Sequence, residues 1–283
     1  MPPTDHYLDL TTGIREHYLK WPGREGAQPL VLNHATGFLA RQWAPVAERL
    51  AGDYTVYAAD TRGHGDSGKP APEGGNYHWA HFVEDLRAWL DGLGLRSVPF
   101  IGHSAGAACG LYLAAAHPEY FTSIIAIEPI VMVGGYDRED SRREMSEGAR
   151  RRRAFFESAD AAFAHYRARS LFERWPDEAL RLYVEHGTFQ REDGRLQLKC
   201  PGEIEAAVFS NSASLDVWGV LPRIDVPVLV IRGAQTEDFL GKVAEAVAER
   251  LPNGRLETVA DAGHLVPMER PEAVAELARN FLA

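Results

Sequence analysis

The chain has 283 residues, of which 45% are hydrophobic and 25% charged, and its formal net charge is −10. These values are typical of a soluble globular protein with one large α/β domain carrying an insertion, or with two domains. The acidic balance argues against nucleic-acid binding, and the lack of a long apolar run or a signal-peptide pattern indicates a cytoplasmic protein without a membrane partner.

The chain begins with two short alternating segments, residues 6–10 and 14–21, which predict an antiparallel hairpin. Apolar segments then alternate with helical patterns, which predicts a mostly parallel sheet with helices on both faces. The predicted strands are 30–33, 54–59, 98–101, 123–127, 226–231 and 255–259. The predicted helices are 42–51, 81–93, 107–117, 241–251 and 271–283.

The strand pattern is interrupted over residues 130–221, where helical periodicity continues without a clear strand. This segment predicts a helical cap inserted into a core formed by residues 1–129 and 222–283. Ligands of open α/β sheets bind beyond the carboxyl ends of the strands, where the insertion begins and ends. We therefore expect the cap to cover the site.

Four consecutive arginines, Arg150 to Arg153, lie inside the predicted cap. On a helix, four neighbouring side chains point all around the axis and cannot form one anion-binding fork. The run therefore predicts a solvated helix with local ion pairs.

The stretch Gly102-His103-Ser104-Ala105-Gly106 follows an apolar strand and opens a run of small residues. This context predicts a sharp strand-to-helix turn, in which the two glycines avoid backbone collisions and Ser104 is exposed as a nucleophile. The Ala105 N–H and the start of the helix would then face a developing oxyanion. The alternative is a glycine-rich turn with an incidental serine.

A serine nucleophile needs a base, and His264 lies on a loop after the last predicted strand, where the order serine, acid, histidine would place it. His78 and His81 form a histidine pair without a third ligand, and Cys109 and Cys200 are too few and too distant for a zinc site. We expect both cysteines to be buried, and we expect no metal and no cofactor.

These motifs, together with residues 33–38 (Asn-His-Ala-Thr-Gly-Phe) and 60–67 (Asp-Thr-Arg-Gly-His-Gly-Asp-Ser), resemble the α/β-hydrolase fold family along nearly the whole chain. The resemblance implies that the first stretch supplies a second oxyanion N–H. Ala35 stands where the family usually has glycine, so Thr36 is the matching donor. The resemblance favours structural roles for His34 and for residues 60–67.

The acid has two candidate positions. Most family members carry an aspartate three residues after the glycine that ends the strand matching residues 226–231. That position is Thr236 here, followed by Glu237 and Asp238. Some relatives, resembling zearalenone lactonase and certain haloalkane dehalogenases, instead place a glutamate at the end of the sixth strand, where Glu128 stands. Glu128 is favoured because a carboxylate ending an apolar strand would be costly to bury without a role.

A serine, a histidine and two backbone donors suit acyl transfer to water. We therefore predict a carboxylic-ester hydrolase, an esterase or lactonase that forms an acyl-enzyme and acts as a monomer or homodimer on a small-molecule ester or lactone. A carbon–carbon bond hydrolase, a cofactor-free perhydrolase, an acyltransferase and a ligand receptor on the same scaffold remain alternatives. The candidate pocket residues are His103, Trp175, Phe209, Trp218 and Leu265.

Overall fold

The computed structural model describes residues 2–133 and 139–283. Residue 1 lies outside the described residues, as do residues 134–138, which belong to the predicted cap. The strands in chain order are β1 (Thr4–Asp9), β2 (Arg15–Trp21), β3 (Gln28–Asn33), β4 (Tyr54–Ala59), β5 (Val98–His103), β6 (Phe121–Ile127), β7 (Phe155–Phe156), β8 (Thr188–Gln190), β9 (Leu196–Leu198), β10 (Val228–Gly233) and β11 (Gly254–Val259).

Eight of these strands form the central sheet, in the order β1-β2-β4-β3-β5-β6-β10-β11. The pairs β1–β2 and β2–β4 are antiparallel, and the other neighbours in the sheet are parallel. The predicted hairpin and the predicted mostly parallel sheet are both confirmed. The carboxyl ends of β3, β5, β6, β10 and β11 consequently lie along one edge.

The helices are α1 (Ala44–Leu50), α2 (Trp79–Gly92), α3 (Ala105–Ala116), α4 (Glu139–Arg150), α5 (Ala159–Arg167), α6 (Asp177–Gly187), α7 (Gly202–Ser210), α8 (Val217–Val220), α9 (Asp238–Arg250), α10 (Val266–Glu269) and α11 (Pro271–Leu282). Helices α2, α3 and α9 bury apolar side chains against one face of the sheet. Helices α1 and α11 cover the other face. The strands between these layers are apolar on both sides, which explains their continuous apolar sequences.

The insertion, residues 130–221, contains α4 to α8 and a small antiparallel sheet in the order β7-β9-β8. The segment predicted to be helical therefore also contains strands. Its three strands have only two or three residues each, too few for an alternating pattern to identify them.

The arginine run departs from its prediction in two respects. Helix α4 ends at Arg150, so the rest of the run does not share a helical surface. Arg150 and Arg151 pair with glutamates of α7 and α4, as expected of solvated side chains. Arg152 instead turns inward and pairs with the buried Glu205, so the prediction is wrong for this residue.

Cys109 and Cys200 are both buried free thiols, as their sequence context predicts. None of the helices formed by residues 2–133 and 139–283 has the combined length and apolar character needed to traverse a lipid bilayer.

Candidate active site

Ser104 is the single residue between β5 and α3, and its backbone is strained. Its φ is 55° and its ψ is −115°, a region that side-chain-bearing residues rarely occupy and that is found repeatedly at functional sites. The Ser104 N–H donates to the carbonyl of Ile127 at the end of β6, over 2.9 Å. The turn is therefore held by the neighbouring strand.

The glycines on either side of this turn are required by close backbone approach. A Cβ atom at Gly102 would lie 2.6 Å from Cα of Ala107, and one at Gly106 would lie 2.6 Å from the carbonyl oxygens of Asn33 and His34. No real Cβ atom packs so closely against backbone. The spacing of glycines in the sequence thus reflects how tightly α3 enters against β3 and β5.

His264 follows β11 and contacts two of the residues selected from the sequence. Its Nε2 atom lies 3.2 Å from Ser104 Oγ, and its Nδ1 atom lies 3.1 Å from Glu128 Oε2. Because the Nδ1–H donates to a carboxylate, Nε2 carries the lone pair and accepts the serine hydroxyl. The structure brings Ser104, His264 and Glu128 into one hydrogen-bonded chain.

Glu128 is 2% exposed, and its φ is 47°. Its Oε1 accepts the Gly233 N–H over 2.8 Å, and its Oε2 accepts the Thr236 hydroxyl over 2.9 Å in addition to His264. These donors offset the cost of burying a carboxylate. The supporting roles of Gly233 and Thr236 were not predicted from the sequence, although Thr236 stands at the family's usual acid position.

Glu237 and Asp238 lie at the start of α9 and face solvent. Glu237 immediately precedes the helix, Asp238 is its first residue, and both are exposed. Negative charges are favoured at a helix N-terminus. In the structure, the carboxylate that accepts the His264 Nδ1–H is that of Glu128.

The backbone around His264 is held from two sides. The Gly263 N–H donates to Oε2 of the buried Glu269 in α10, over 2.6 Å. The His103 Nε2–H donates to the His264 carbonyl over 2.8 Å. The role of Glu269 was not predicted, and its only signal in the sequence is its place five residues after the histidine.

His103 supplies a pH-dependent prediction. Burial lowers the pKa of His103 to about 3 from its ordinary value of 6.5. Between these two pH values His103 is protonated in the unfolded chain and neutral in the folded protein. Its contribution to the free energy of unfolding is therefore fully present above pH 6.5 and is lost as the pH falls. Between pH 7 and pH 4.5, we expect the wild type to lose about 2 to 3 kcal/mol of unfolding free energy relative to His103→Gln, measured by urea denaturation. Parallel pH curves for the two proteins would contradict this expectation.

The predicted oxyanion donors meet at one cavity. Thr36, in the loop after β3, and Ala105, at the start of α3, both line it. The rest of its lining consists of Asn33, His34, Thr61, His64, Trp79, Phe82, Gly106, Cys109 and Val208. The structure therefore brings Thr36 and Ala105 to the same cavity, although they are 69 positions apart in the sequence.

Two neutral histidines support the loop that carries Thr36. His34 Nδ1–H donates to the Ala35 carbonyl over 2.8 Å, while His34 Nε2 accepts the Thr61 N–H over 3.0 Å. His64 Nε2 accepts the Gly37 N–H over 3.0 Å, and burial lowers the pKa of His64 to about 3, so it remains an acceptor at neutral pH. Both side chains make structural hydrogen bonds, in agreement with the role expected for His34.

The chain is similar to known proteins along most of its length. A family model described as "alpha/beta hydrolase fold" matches residues 28–271. The chain belongs to the α/β-hydrolase fold family. It is 27% identical to a 2-(acetamidomethylene)succinate hydrolase of Mesorhizobium japonicum over 292 aligned positions, covering 99% of this chain and 96% of the relative. It is 26% identical to 3-oxoadipate enol-lactonase 2 of Acinetobacter baylyi over 273 positions, covering 96% and 95%.

The fold similarity extends to solved structures. The crystal structure of E-2-(acetamidomethylene)succinate hydrolase superposes with a TM-score of 0.84 at 21% sequence identity and covers 99% of each chain. The fold class and the family resemblance predicted from the motifs are confirmed.

The candidate pocket residues of this α/β hydrolase lie in different surroundings. Trp175 and Leu265 are buried in the hydrophobic cluster of the insertion. Phe209 is partly buried in α7, next to the cavity-lining Val208. His103 packs against His264, with a distance of 5.3 Å between the two ring centroids.

Trp218 lies away from the other candidates. The Arg250 guanidinium lies 4.3 Å from the centroid of the Trp218 ring, and Arg250 is the last residue of α9. The first turn of α9 lies near Glu128, and a helix of this length spans about 20 Å. The structure therefore does not bring Trp218 to the site.

Among the described residues, one group of three places metal-ligand atoms close together: His17, Asp60 and Asp66. His17 Nδ1 and Asp60 Oδ2 already share a hydrogen bond of 2.7 Å, and Asp66 pairs with Lys199 over 2.6 Å. The group lies outside the chain of contacts that links Ser104 to Glu128.

Proposed function

We propose that this α/β hydrolase is a serine enzyme that cleaves a carboxylic ester or lactone through an acyl-enzyme intermediate. The observation that carries the proposal is the chain of contacts from Ser104 Oγ through His264 to the buried Glu128. The strained backbone of Ser104 adds support, because it presents the nucleophile at the edge of the sheet where the family binds its ligands.

In the proposed reaction, Ser104 Oγ attacks the substrate carbonyl while His264 Nε2 accepts the hydroxyl proton. Glu128 holds His264 in the required tautomer and stabilises its protonated form. The N–H groups of Thr36 and Ala105 stabilise the oxyanion of the tetrahedral intermediate. His264 then protonates the leaving alcohol, and it activates the water that releases the acid and regenerates the serine. These steps require neither a metal nor a cofactor.

We also propose that the insertion, residues 130–221, acts as a cap. Support comes from Val208 of α7, which lines the same cavity as Thr36 and Ala105. An ester or lactone substrate is supported by the similarity to an enol-lactonase across most of both chains. The cap would supply the walls that select among such substrates.

A fluorophosphonate probe followed by mass spectrometry tests the proposal directly. We expect one covalent adduct on the wild-type protein, located on Ser104, since the probe reacts with an activated serine. Steady-state and burst assays across chromogenic esters, lactones and vinylogous diketones would then define the substrate class. Absence of the adduct would refute the serine mechanism, whereas a burst without turnover would indicate a receptor, and turnover of diketones alone would indicate a carbon–carbon bond hydrolase.

A further inference from the structure

The oxyanion loop, defined here as residues 34–39, belongs to the same hydrophobic cluster as the insertion. Ala35, Phe38 and Leu39 are buried together with apolar residues of α5 and α6. The Phe38 ring lies 5.6 Å from Trp175 and 5.5 Å from Tyr183, measured between ring centroids. The loop therefore packs directly against the insertion.

Tyr183 of α6 also forms a polar contact with this loop. Its hydroxyl donates to the carbonyl of Gly37 over 3.3 Å. Arg152 Nη2 donates to the same hydroxyl over 2.6 Å. Because the arginine occupies an acceptor site of the hydroxyl oxygen, the hydroxyl proton is directed at Gly37. The Gly37 N–H donates to His64 of the core. Gly37, the residue after Thr36, is therefore hydrogen-bonded to the core through its N–H and to the insertion through its carbonyl.

The position of Arg152 is itself fixed by an ion pair above the loop. Arg152 Nη1 pairs with Glu205 of α7, and both side chains are largely buried. A Cβ atom at Gly37, where φ is 82°, would lie 2.4 Å from Glu205 Oε1. The Arg152–Glu205 ion pair therefore packs directly against Gly37, where the close approach and the positive φ together require glycine.

We propose that Tyr183, oriented by Arg152, is a positioning residue. Its hydrogen bond to the Gly37 carbonyl couples the conformation of the oxyanion loop to the position of the insertion. This inference rests on the proposed function, since it assigns the loop the Thr36 N–H of the oxyanion hole. If the insertion moves, the Gly37 carbonyl loses its partner and the Thr36 donor shifts. Misplacement of a catalytic group by about 1 Å can cost about a hundredfold in rate.

Tyr166 offers a matched control. Its hydroxyl also contacts Arg152 Nη2, at 3.4 Å, its ring centroid lies 5.2 Å from that of Tyr183, and both tyrosines are 5% exposed. The structure gives a contact to the Gly37 carbonyl for the Tyr183 hydroxyl alone among the described residues. Tyr183→Phe and Tyr166→Phe therefore each remove one hydroxyl group from the same cluster, but only Tyr183→Phe removes a hydrogen bond to the loop.

The test compares the wild type with these two variants in two measurements. The first is the second-order rate of Ser104 labelling by a fluorophosphonate, whose phosphoryl oxygen occupies the oxyanion hole. The second is hydrogen exchange of the backbone amides of residues 35–39. We expect Tyr183→Phe to be labelled about tenfold more slowly and to exchange faster in this segment. Tyr166→Phe should match the wild type in both measurements at a similar melting temperature.

The outcomes separate the two proposals. Equal labelling rates for the wild type and Tyr183→Phe would overturn the inference while leaving the serine mechanism intact. Equal losses in both variants would also overturn it, because they would show a general effect of the cluster. If the wild type is not labelled at all, the proposed function fails. The exchange measurement alone then tests whether Tyr183 couples the loop to the insertion, and unchanged exchange in Tyr183→Phe would refute that coupling.

Discussion

Replacing Ser104 with alanine is expected to reduce ester hydrolysis by about a millionfold while leaving the protein folded. The substitution removes the nucleophilic oxygen, which is the atom that His264 Nε2 contacts. Alanine retains the Cβ atom that the strained turn already accommodates, so the turn itself should persist. Turnover of the best ester found by profiling, together with circular dichroism and the melting temperature, would measure both effects.

Ser97 provides the matched control for this substitution. It is a second serine with a positive φ, of 50°, and it lies in the turn before β5, where its N–H donates to the Glu119 carbonyl. Ser97→Ala should keep full activity, so any cost of placing alanine at a positive φ is measured separately. Retention of a tenth of wild-type activity by Ser104→Ala would refute the serine mechanism.

Glu128→Gln is expected to reduce activity by about ten-thousandfold without unfolding the protein. The glutamine oxygen can still accept the Gly233 N–H, which leaves the amide NH2 facing the Thr236 hydroxyl and His264 Nδ1. Two donors then face each other across the histidine contact. His264 would adopt the other tautomer, with a proton on Nε2, and could no longer accept the proton of Ser104.

The exposed carboxylates at the start of α9 serve as controls for the acid. Glu237→Gln and Asp238→Asn should stay within about tenfold of wild-type activity. If one of them loses activity while Glu128→Gln remains active, the acid follows β10, as in most of the family. If Glu128→Gln lowers the melting temperature with little change in turnover, Glu128 is a buried structural residue. Both measurements use the purified variants side by side.

The parts of the site that depend on a few consecutive residues could be predicted from the sequence. The turn around Ser104 is set by glycines two residues before and two after it, so its geometry is local. His264 could be located because it follows the last strand after a short loop. Glu128 was favoured for a physical reason, the cost of burying a charge, and the structure places that carboxylate in a fully hydrogen-bonded position.

The parts that depend on packing between distant segments could not be predicted in this way. Trp218 was grouped with the pocket because it is aromatic and lies in the insertion, yet its ring packs under Arg250 at the far end of α9. Arg152 was expected to be solvated because the run was predicted to lie on a solvated helix, and its inward turn depends on Glu205, which is 53 residues away. Neither contact leaves a periodic pattern in the chain.

The arrangement around Glu128 has a consequence for how such enzymes diverge. The Thr236 hydroxyl lies 2.9 Å from Glu128 Oε2, so a side chain at position 236 already reaches the place that the carboxylate occupies. We therefore expect that the proposed acid can be supplied from either of two adjacent strand ends, β6 or β10, by exchanging the residues at positions 128 and 236. A survey that inspects only position 236 would classify this chain as a degenerate, inactive homologue, although a carboxylate contacts His264 from the strand next to it.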